Sequence, residues 1–139
     1  MIVVDASVVL EMLTLAPRAD AAFARTLLTG ETLHAPHLID VEVAHSLRRL
    51  ARQNGTARTG EECLEDFAAF SIVRYDHLPL LPRIWELRGN LSAYDASYVA
   101  LAELLECPLL TSDARLARAG GHEARIELLA GTRSASDLA

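Results

Sequence analysis

The sequence predicts an α/β fold: one three-layer α/β/α domain whose central parallel sheet has four or five short strands. Two patterns lead to this prediction. The first is a set of short apolar runs, which are typical of buried strands, and the second is a set of segments in which apolar residues recur at helical spacing. The two kinds of segment alternate along the chain. Strands that alternate with helices pair in parallel, and helices then cover both faces of the sheet. The predicted strands are residues 2–4, 32–35, 72–75, 108–111 and 126–128.

Local signals place the helices between these strands. Thr59 followed by Glu62 is a capping box, and Ser92 is a typical helix N-cap. The predicted helices begin directly after Asp5, at Pro17, and at about residues 37, 59, 78, 92 and 113. Together these elements form one domain over residues 1–130, and we expect the polar residues 131–139 to be a flexible tail.

Composition excludes several classes of function. The net charge of −6 argues against a surface that binds nucleic acid throughout, although a local basic patch remains open. All 13 basic residues are arginine, which excludes lysine chemistry such as Schiff-base catalysis and P-loop phosphate binding. Cys63 and Cys107 lie in apolar surroundings and predict core thiols in a reducing compartment. The chain has no signal peptide pattern and no uncharged apolar run of about 18 residues, so we expect a soluble, cytoplasmic protein without membrane contact.

Four acidic residues are expected at one edge of the sheet. Asp5 and Asp113 each follow a predicted strand, and Glu42 lies in the second turn of the helix after the second strand. Asp95, three residues after Ser92, joins them if its helix leads into the strand at 108–111. In open α/β sheets, ligands bind beyond the carboxyl ends of the strands. This edge is therefore the candidate functional site.

Each acid also has a purely structural explanation. Asp5 and Asp113 are suited to cap helices, Asp95 to complete a capping box, and Glu42 to lie in solvent. These explanations account for the residues separately but not for their shared edge. Four carboxylates in one cleft repel each other, and a hard divalent cation with oxygen ligands, Mg²⁺ or Mn²⁺, would relieve the repulsion.

The segments around these acids resemble a known family. They read IVVDASV (residues 2–8), IDVEV (39–43), YDASY (94–98) and LTSD (110–113). In order and spacing they resemble the PIN domain, and more narrowly the VapC-type toxins of bacterial toxin–antitoxin pairs. The resemblance covers roughly residues 1–130.

The resemblance implies a metal-dependent endoribonuclease. By this likeness, Asp5, Glu42, Asp95 and Asp113 are catalytic and hold one or two Mg²⁺ or Mn²⁺ ions. Thr111 matches a hydroxyl residue two positions before the last acid, and Ser7 matches a small hydroxyl residue near the first. The resemblance also implies a homodimer and a cognate antitoxin whose tail covers the acidic cleft. An apolar surplus in the first two helices agrees with a dimer, although an ordinary core also explains it (Val8, Val9, Leu13, Leu15, Phe23).

Other side chains are candidates for binding RNA. Arg49 lies seven residues after Glu42, on nearly the same helix face, and Arg115 follows Asp113 by two residues. Either guanidinium could bind a phosphate beside the metal, or could simply be solvated. Tyr94 and Tyr98 flank Asp95 and could stack on a base, although aromatic residues on an apolar helix are more often buried. The spacing of His34 and His37 gives a zinc site little support, because no third ligand lies at matching spacing.

Two other functions remain as alternatives. A haloacid dehalogenase-type phosphatase would use Asp5 as nucleophile, but it requires an Asp where Ser7 stands and a downstream lysine. The second alternative is a non-catalytic PIN-like module that binds RNA or a protein. Loss of one of the four acids would indicate that module, and none is lost.

Overall fold

The computed structural model describes residues 1–14, 29–53 and 59–129. It contains a five-stranded sheet and six α-helices in the described residues. The strands are β1 (Ile2–Val4), β2 (Leu33–Pro36), β3 (Ile72–Tyr75), β4 (Leu109–Thr111) and β5 (Ile126–Leu128). The helices are α1 (Ala6–Thr14), α2 (Leu38–Arg52), α3 (Gly60–Ala69), α4 (Leu81–Glu86), α5 (Ala93–Leu105) and α6 (Ala114–Arg118). The helix predicted at Pro17 and the tail predicted at 131–139 lie outside the described residues.

All five strands are parallel, in the order β3-β2-β1-β4-β5. Helices α1, α2 and α3 contact one another, while α5 contacts β1, β2 and α4. The predicted parallel sheet between two helical layers is confirmed. The strand order reverses between β1 and β4, which is the position where open α/β sheets bind ligands.

The core is formed by the central strands and by one face of each large helix. Val3 and Val4 of β1 and Leu109 of β4 are completely buried. Burying a side chain of this size contributes roughly 1.5–3 kcal/mol. Cys63 and Cys107 form no disulfide bond, and no described helix is long and apolar enough to cross a membrane.

The apolar surplus proposed for the first two helices is not found in α1. Val8, Val9 and Leu13 are between 0% and 1% exposed within a single chain, so they leave no apolar surface for a partner. The other two residues of that argument, Leu15 and Phe23, lie outside the described residues.

Two of the differences from the sequence prediction involve proline. The sequence predicted that β2 ends before Pro36, but Pro36 is the last residue of the strand and lies opposite Tyr75 of β3. The helix predicted over 78–89 is divided into a 3₁₀ turn (Leu78–Leu80), α4 and a second 3₁₀ turn (Leu87–Gly89). Pro79 and Pro82 lack the N–H group that a continuous helix would use there.

A two-pronged ion pair joins α4 to α5 and makes a pH-dependent contribution to stability. Arg83 Nε lies 2.7 Å from Glu103 Oε2, and its Nη2 lies 3.0 Å from Oε1. The Arg83 guanidinium lowers the pKa of Glu103 below its ordinary 4.5. Because the folded-state pKa is lowered, the contribution is present above pH 4.5 and disappears as the pH falls through the folded-state pKa.

We expect Arg83→Met to lower the free energy of unfolding at pH 7 by at most about 1 kcal/mol, because the partly exposed pair is screened by solvent. Urea unfolding at pH 7 and below pH 4 measures the difference, which should shrink at the lower pH. A difference that stays constant would contradict this account of the ion pair.

Candidate metal and catalytic site

Four acidic residues lie at the carboxyl edge of the sheet, around the point where the strand order reverses. Asp5 follows β1, and Asp113 follows β4 after one intervening residue. Glu42 lies in the second turn of α2, and Asp95 lies in the first turn of α5. The charge of Asp95 acts on Asp5 and Glu42, and the charge of Asp113 acts on Asp95. The structure therefore brings together the four acids that the sequence singled out.

Asp5 is the buried member of the group, with 6% of its surface exposed. Its Oδ1 accepts hydrogen bonds from Ser7 Oγ at 2.5 Å and from Val8 N at 3.2 Å. Its Oδ2 accepts a hydrogen bond from Thr111 Oγ1 at 2.5 Å. The bond from Val8 makes Asp5 a cap of α1, so its structural role and its place in the cleft coexist. These donors fix both carboxylate oxygens at the end of β1.

Ser7 and Thr111 connect Asp5 to the segment that follows β4. The Ser7 hydroxyl donates to Asp5 and accepts a hydrogen bond from Ser112 N at 2.9 Å. The Thr111 hydroxyl likewise donates to Asp5 and accepts one from Asp113 N at 3.0 Å. Each hydroxyl therefore links the first acid to the backbone that positions the last one. Both residues were candidates from the resemblance, and the structure places both beside Asp5.

Tyr98 holds Glu42. Its hydroxyl donates a hydrogen bond of 2.6 Å to Glu42 Oε1 across the cleft between α5 and α2. Tyr98 is 2% exposed, so its ring belongs to the core while its hydroxyl reaches the acidic site. Burial, together with the neighbouring Glu42 carboxylate, raises the pKa of Tyr98, and the phenol stays protonated as a hydrogen-bond donor.

Asp95 and Asp113 form the more exposed side of the cleft. Ser92 Oγ accepts a hydrogen bond from Asp95 N at 3.1 Å, but no bond returns from Ser92 N to the Asp95 carboxylate, so the capping box is incomplete. Asp113 caps α6 by accepting a hydrogen bond of 2.8 Å from Arg115 N. The Arg115 guanidinium also lies 3.8 Å from Asp113 Oδ2 and is largely exposed. Arg115 is thus a cation at the rim of the acidic cleft.

Burial and mutual repulsion raise the pKa values of the acids. Burial is the main reason why the pKa values of Asp5, Glu42 and Asp95 lie above their ordinary values. The charge of Asp95 raises the pKa of Asp5 and of Glu42 further, and the charge of Asp113 does the same for Asp95. The bonds from Ser7, Thr111 and Tyr98 oppose these shifts. This excess negative charge favours a bound cation.

The donor chemistry of the cleft fits a hard divalent cation. Its acids and hydroxyls present oxygen atoms only, which are the ligands that Mg²⁺ and Mn²⁺ prefer. Among the described residues, no three acidic, histidine or cysteine side chains are arranged to hold one ion directly.

The roles of three residues at the site were not identified from the sequence. Tyr98 was expected in the core, and its bond to Glu42 has no sequence signal because 56 positions separate the partners. Glu11 is a fifth carboxylate beside the cleft, and burial and the charge of Asp5 raise its pKa. Ser112 donates its backbone N–H to Ser7, while its buried Oγ has no well-formed hydrogen bond among the described residues.

Arg49 and the two histidines form no described hydrogen bond or ion pair with the four acids. Arg49 is exposed on α2 and forms no ion pair with any described residue. His34 is buried between Thr32 Oγ1 at 2.8 Å and Tyr75 OH at 2.7 Å. His37 lies 3.5 Å from Asp76 instead. The two histidines therefore have different partners and do not share a ligand site.

Comparison with known proteins identifies the family. Residues 2–122 match the family model of the PIN domain. Ribonuclease VapC9 of Mycobacterium tuberculosis is 49% identical over 121 residues, which cover 86% of this chain and 91% of VapC9. The chain belongs to the PIN domain family, and within it to the VapC ribonucleases. The resemblance drawn from the sequence is confirmed.

Solved structures agree with the fold described above. PAE2754 from Pyrobaculum aerophilum has a TM-score of 0.60 at 26% identity, covering 83% of this chain and 81% of that protein. Mycobacterium tuberculosis VapC20, described as a Sarcin-Ricin loop cleaving toxin, has a TM-score of 0.61 at 16% identity, covering 84% of this VapC-type chain and 93% of VapC20. At that identity the likeness to VapC20 shows the fold alone.

Proposed function

We propose that this chain is a metal-dependent endoribonuclease that acts as the toxin of a toxin–antitoxin pair. The observation that carries the proposal is the complete set of four acids, gathered where the strand order reverses, in a chain of the VapC family. The names of its relatives support RNA as the substrate. The ion is Mg²⁺ or Mn²⁺.

Asp5, Glu42, Asp95 and Asp113 would hold the ion, directly or through water. A bound divalent ion lowers the pKa of a water ligand, which then serves as the nucleophile, and it neutralises charge on the phosphate oxygens. The chain itself fixes the ligands, because Ser7 and Thr111 orient Asp5 and Tyr98 orients Glu42. No separate general base is assigned. The acids alone would repel RNA phosphates, so phosphate binding requires the ion.

Cations near the cleft would bind the RNA backbone. Arg115 lies at the rim of the cleft, where its charge already acts on Asp95. Its exposed guanidinium suits a phosphate next to the one that is cleaved. Arg49, exposed on the same helix as Glu42, is a second phosphate contact two turns away. These two residues give an acidic protein its local basic positions.

The proposed toxin would act as a homodimer and be bound by a cognate antitoxin. Exposed apolar side chains support a protein interface: Leu78, Leu81 and Trp85 are 76%, 48% and 68% exposed, and Leu104 lies on the neighbouring helix α5. Light scattering on the purified chain should give twice the chain mass. A monomeric mass would contradict the homodimer.

Two cysteines that form no disulfide support a cytoplasmic location.

Incubating purified, antitoxin-free protein with total RNA tests the proposed activity. Mg²⁺ or Mn²⁺ should produce discrete internal fragments, and EDTA should prevent them. If folded protein cuts no RNA with either ion, the non-catalytic RNA- or protein-binding module becomes the better account.

Tyr98→Phe should lower the cleavage rate about tenfold, because it removes the hydroxyl that orients Glu42, a proposed metal ligand. The acidic limb of the pH–rate profile should also move to higher pH. The Tyr98 hydrogen bond lowers the pKa of Glu42, so Glu42 without it ionises only at a higher pH. Tyr75→Phe, which removes a hydroxyl bonded to His34, is the matched control and should leave the profile unchanged. An unshifted profile in Tyr98→Phe would contradict this role.

A further inference from the structure

A groove of about 450 Å³ lies directly beside the acidic cleft. One wall is a face of α2, and the other is Tyr94, the residue before Asp95. The volume falls within the roughly 300–1,000 Å³ typical of small-molecule sites. Its lining residues are Leu38, Val41, Glu42, His45, Ser46 and Tyr94. Because Glu42 belongs to both the groove and the cleft, a molecule in the groove lies next to the proposed metal ligands.

Two of the side chains that line the groove are exposed and largely apolar. Val41 is 65% exposed and Tyr94 is 62% exposed. The Tyr94 ring contacts no other aromatic ring and no guanidinium among the described residues. Tyr98, four residues later on the same helix, is buried instead. Of the two tyrosines that flank Asp95, Tyr94 is therefore the one available for stacking.

The charges around the groove distinguish between the parts of a nucleotide. Among the residues that the structure describes, Glu42 is the only carboxylate in the lining and no arginine lines the groove, so a phosphate would be repelled. An uncharged base would instead meet an aromatic face and apolar side chains. His45 and Ser46, one turn after Glu42 on α2, supply polar atoms that could bond a base edge.

We propose that this groove binds one nucleobase of the RNA, next to the cleaved phosphate, with the base stacked on Tyr94. This inference rests on the proposed nuclease function and adds a base-binding subsite to it. Sequence-specific proteins bind single-stranded RNA by stacking unpaired bases on aromatic rings and bonding their edges. The subsite would therefore contribute to the choice of cleavage position, with His45 and Ser46 as the residues that read the base.

Nuclear magnetic resonance on the full chain tests base binding without relying on cleavage. The probes are adenosine, guanosine, cytidine and uridine, with ribose as the base-free control, all without divalent ions. At least one nucleoside should shift the backbone resonances of Val41, Ser46 and Tyr94, and ribose should not. Tyr94→Ala should abolish the shifts, Tyr94→Phe should retain them because it keeps the ring, and Leu64→Ala, an exposed apolar change on α3, should have no effect.

Cleavage kinetics provide the second readout. With an RNA that the wild-type chain cuts, Tyr94→Ala should raise KM by roughly tenfold or more, the size expected for one lost base stack, with a smaller change in kcat. Tyr94→Phe should restore KM. If no nucleoside shifts the resonances of the groove residues, or ribose shifts them equally, the subsite is wrong even where RNA is cut. If only an antitoxin tail peptide shifts them, the groove binds protein. If nucleosides bind but no RNA is cut, the nuclease proposal fails and the base site stands.

Discussion

Asp5→Asn should reduce divalent-metal-dependent RNA cleavage by about a thousandfold or more. Asp5 is the most deeply buried of the four acids, and five of its neighbours in the cleft are arranged around its carboxylate: Ser7, Val8, Thr111, Glu42 and Asp95. The asparagine amide keeps the shape but removes the charge that binds the ion. Losing one such electrostatic contact costs on the order of 10²–10³ in rate, and losing the metal costs more.

The fold should survive this change. Asparagine removes a buried charge whose pKa is raised by burial and by Asp95, and this offsets the weaker hydrogen bonds that the amide makes. We therefore expect a free energy of unfolding within about 1 kcal/mol of the wild type without metal. Asp76→Asn is the control, because Asp76 is an exposed carboxylate after β3, and it should cleave RNA at the wild-type rate. Undiminished cleavage by folded Asp5→Asn would remove Asp5 from the site.

Thr111→Val should have a large effect on both stability and activity. Thr111 is fully buried, and its hydroxyl donates to Asp5 Oδ2 and accepts from Asp113 N. Valine keeps the shape of the side chain but leaves a carboxylate oxygen and a backbone N–H without this partner. Leaving buried polar groups unpaired costs about 1–3 kcal/mol. We expect a loss of that size in chemical unfolding.

Activity should fall as well, because Thr111 positions the first and the last acid together. Changes in residues that orient metal ligands typically cost about 10- to 100-fold, and Thr111→Val should lower kcat within that range. Thr111→Ser retains the hydroxyl and should recover most of the lost rate. If Thr111→Val loses stability but keeps full activity at a temperature where it is folded, Thr111 is structural only.

The sequence was sufficient to predict the architecture and the acids, but not the bonds that hold them. The strands at 72–75 and 126–128 and the capping box at Thr59 were predicted as they occur, because they depend on neighbouring residues. Asp5 and Asp113 could be placed because each follows a strand, and parallel strands share an edge. The resemblance added Ser7 and Thr111.

The contacts that the sequence could not supply join residues far apart in the chain. The Tyr98–Glu42 bond depends on how α5 packs against α2, which periodicity alone does not determine. The same periodicity made Tyr94 and Tyr98 equivalent candidates. Only the packed structure separates them, because one ring is buried and the other lines a groove. The different roles of Tyr94 and Tyr98 are therefore determined by tertiary packing.

We expect the acids beside β1 and β4 to bind the one or two divalent ions on which RNA cleavage depends. Calorimetric titration of the metal-free chain with Mn²⁺ tests it most directly, comparing the wild type with Asp5→Asn and with the exposed control Asp76→Asn. We expect saturable binding by the wild type and by Asp76→Asn, and binding weakened at least about tenfold in Asp5→Asn. Equal Mn²⁺ affinity in all three proteins would contradict it.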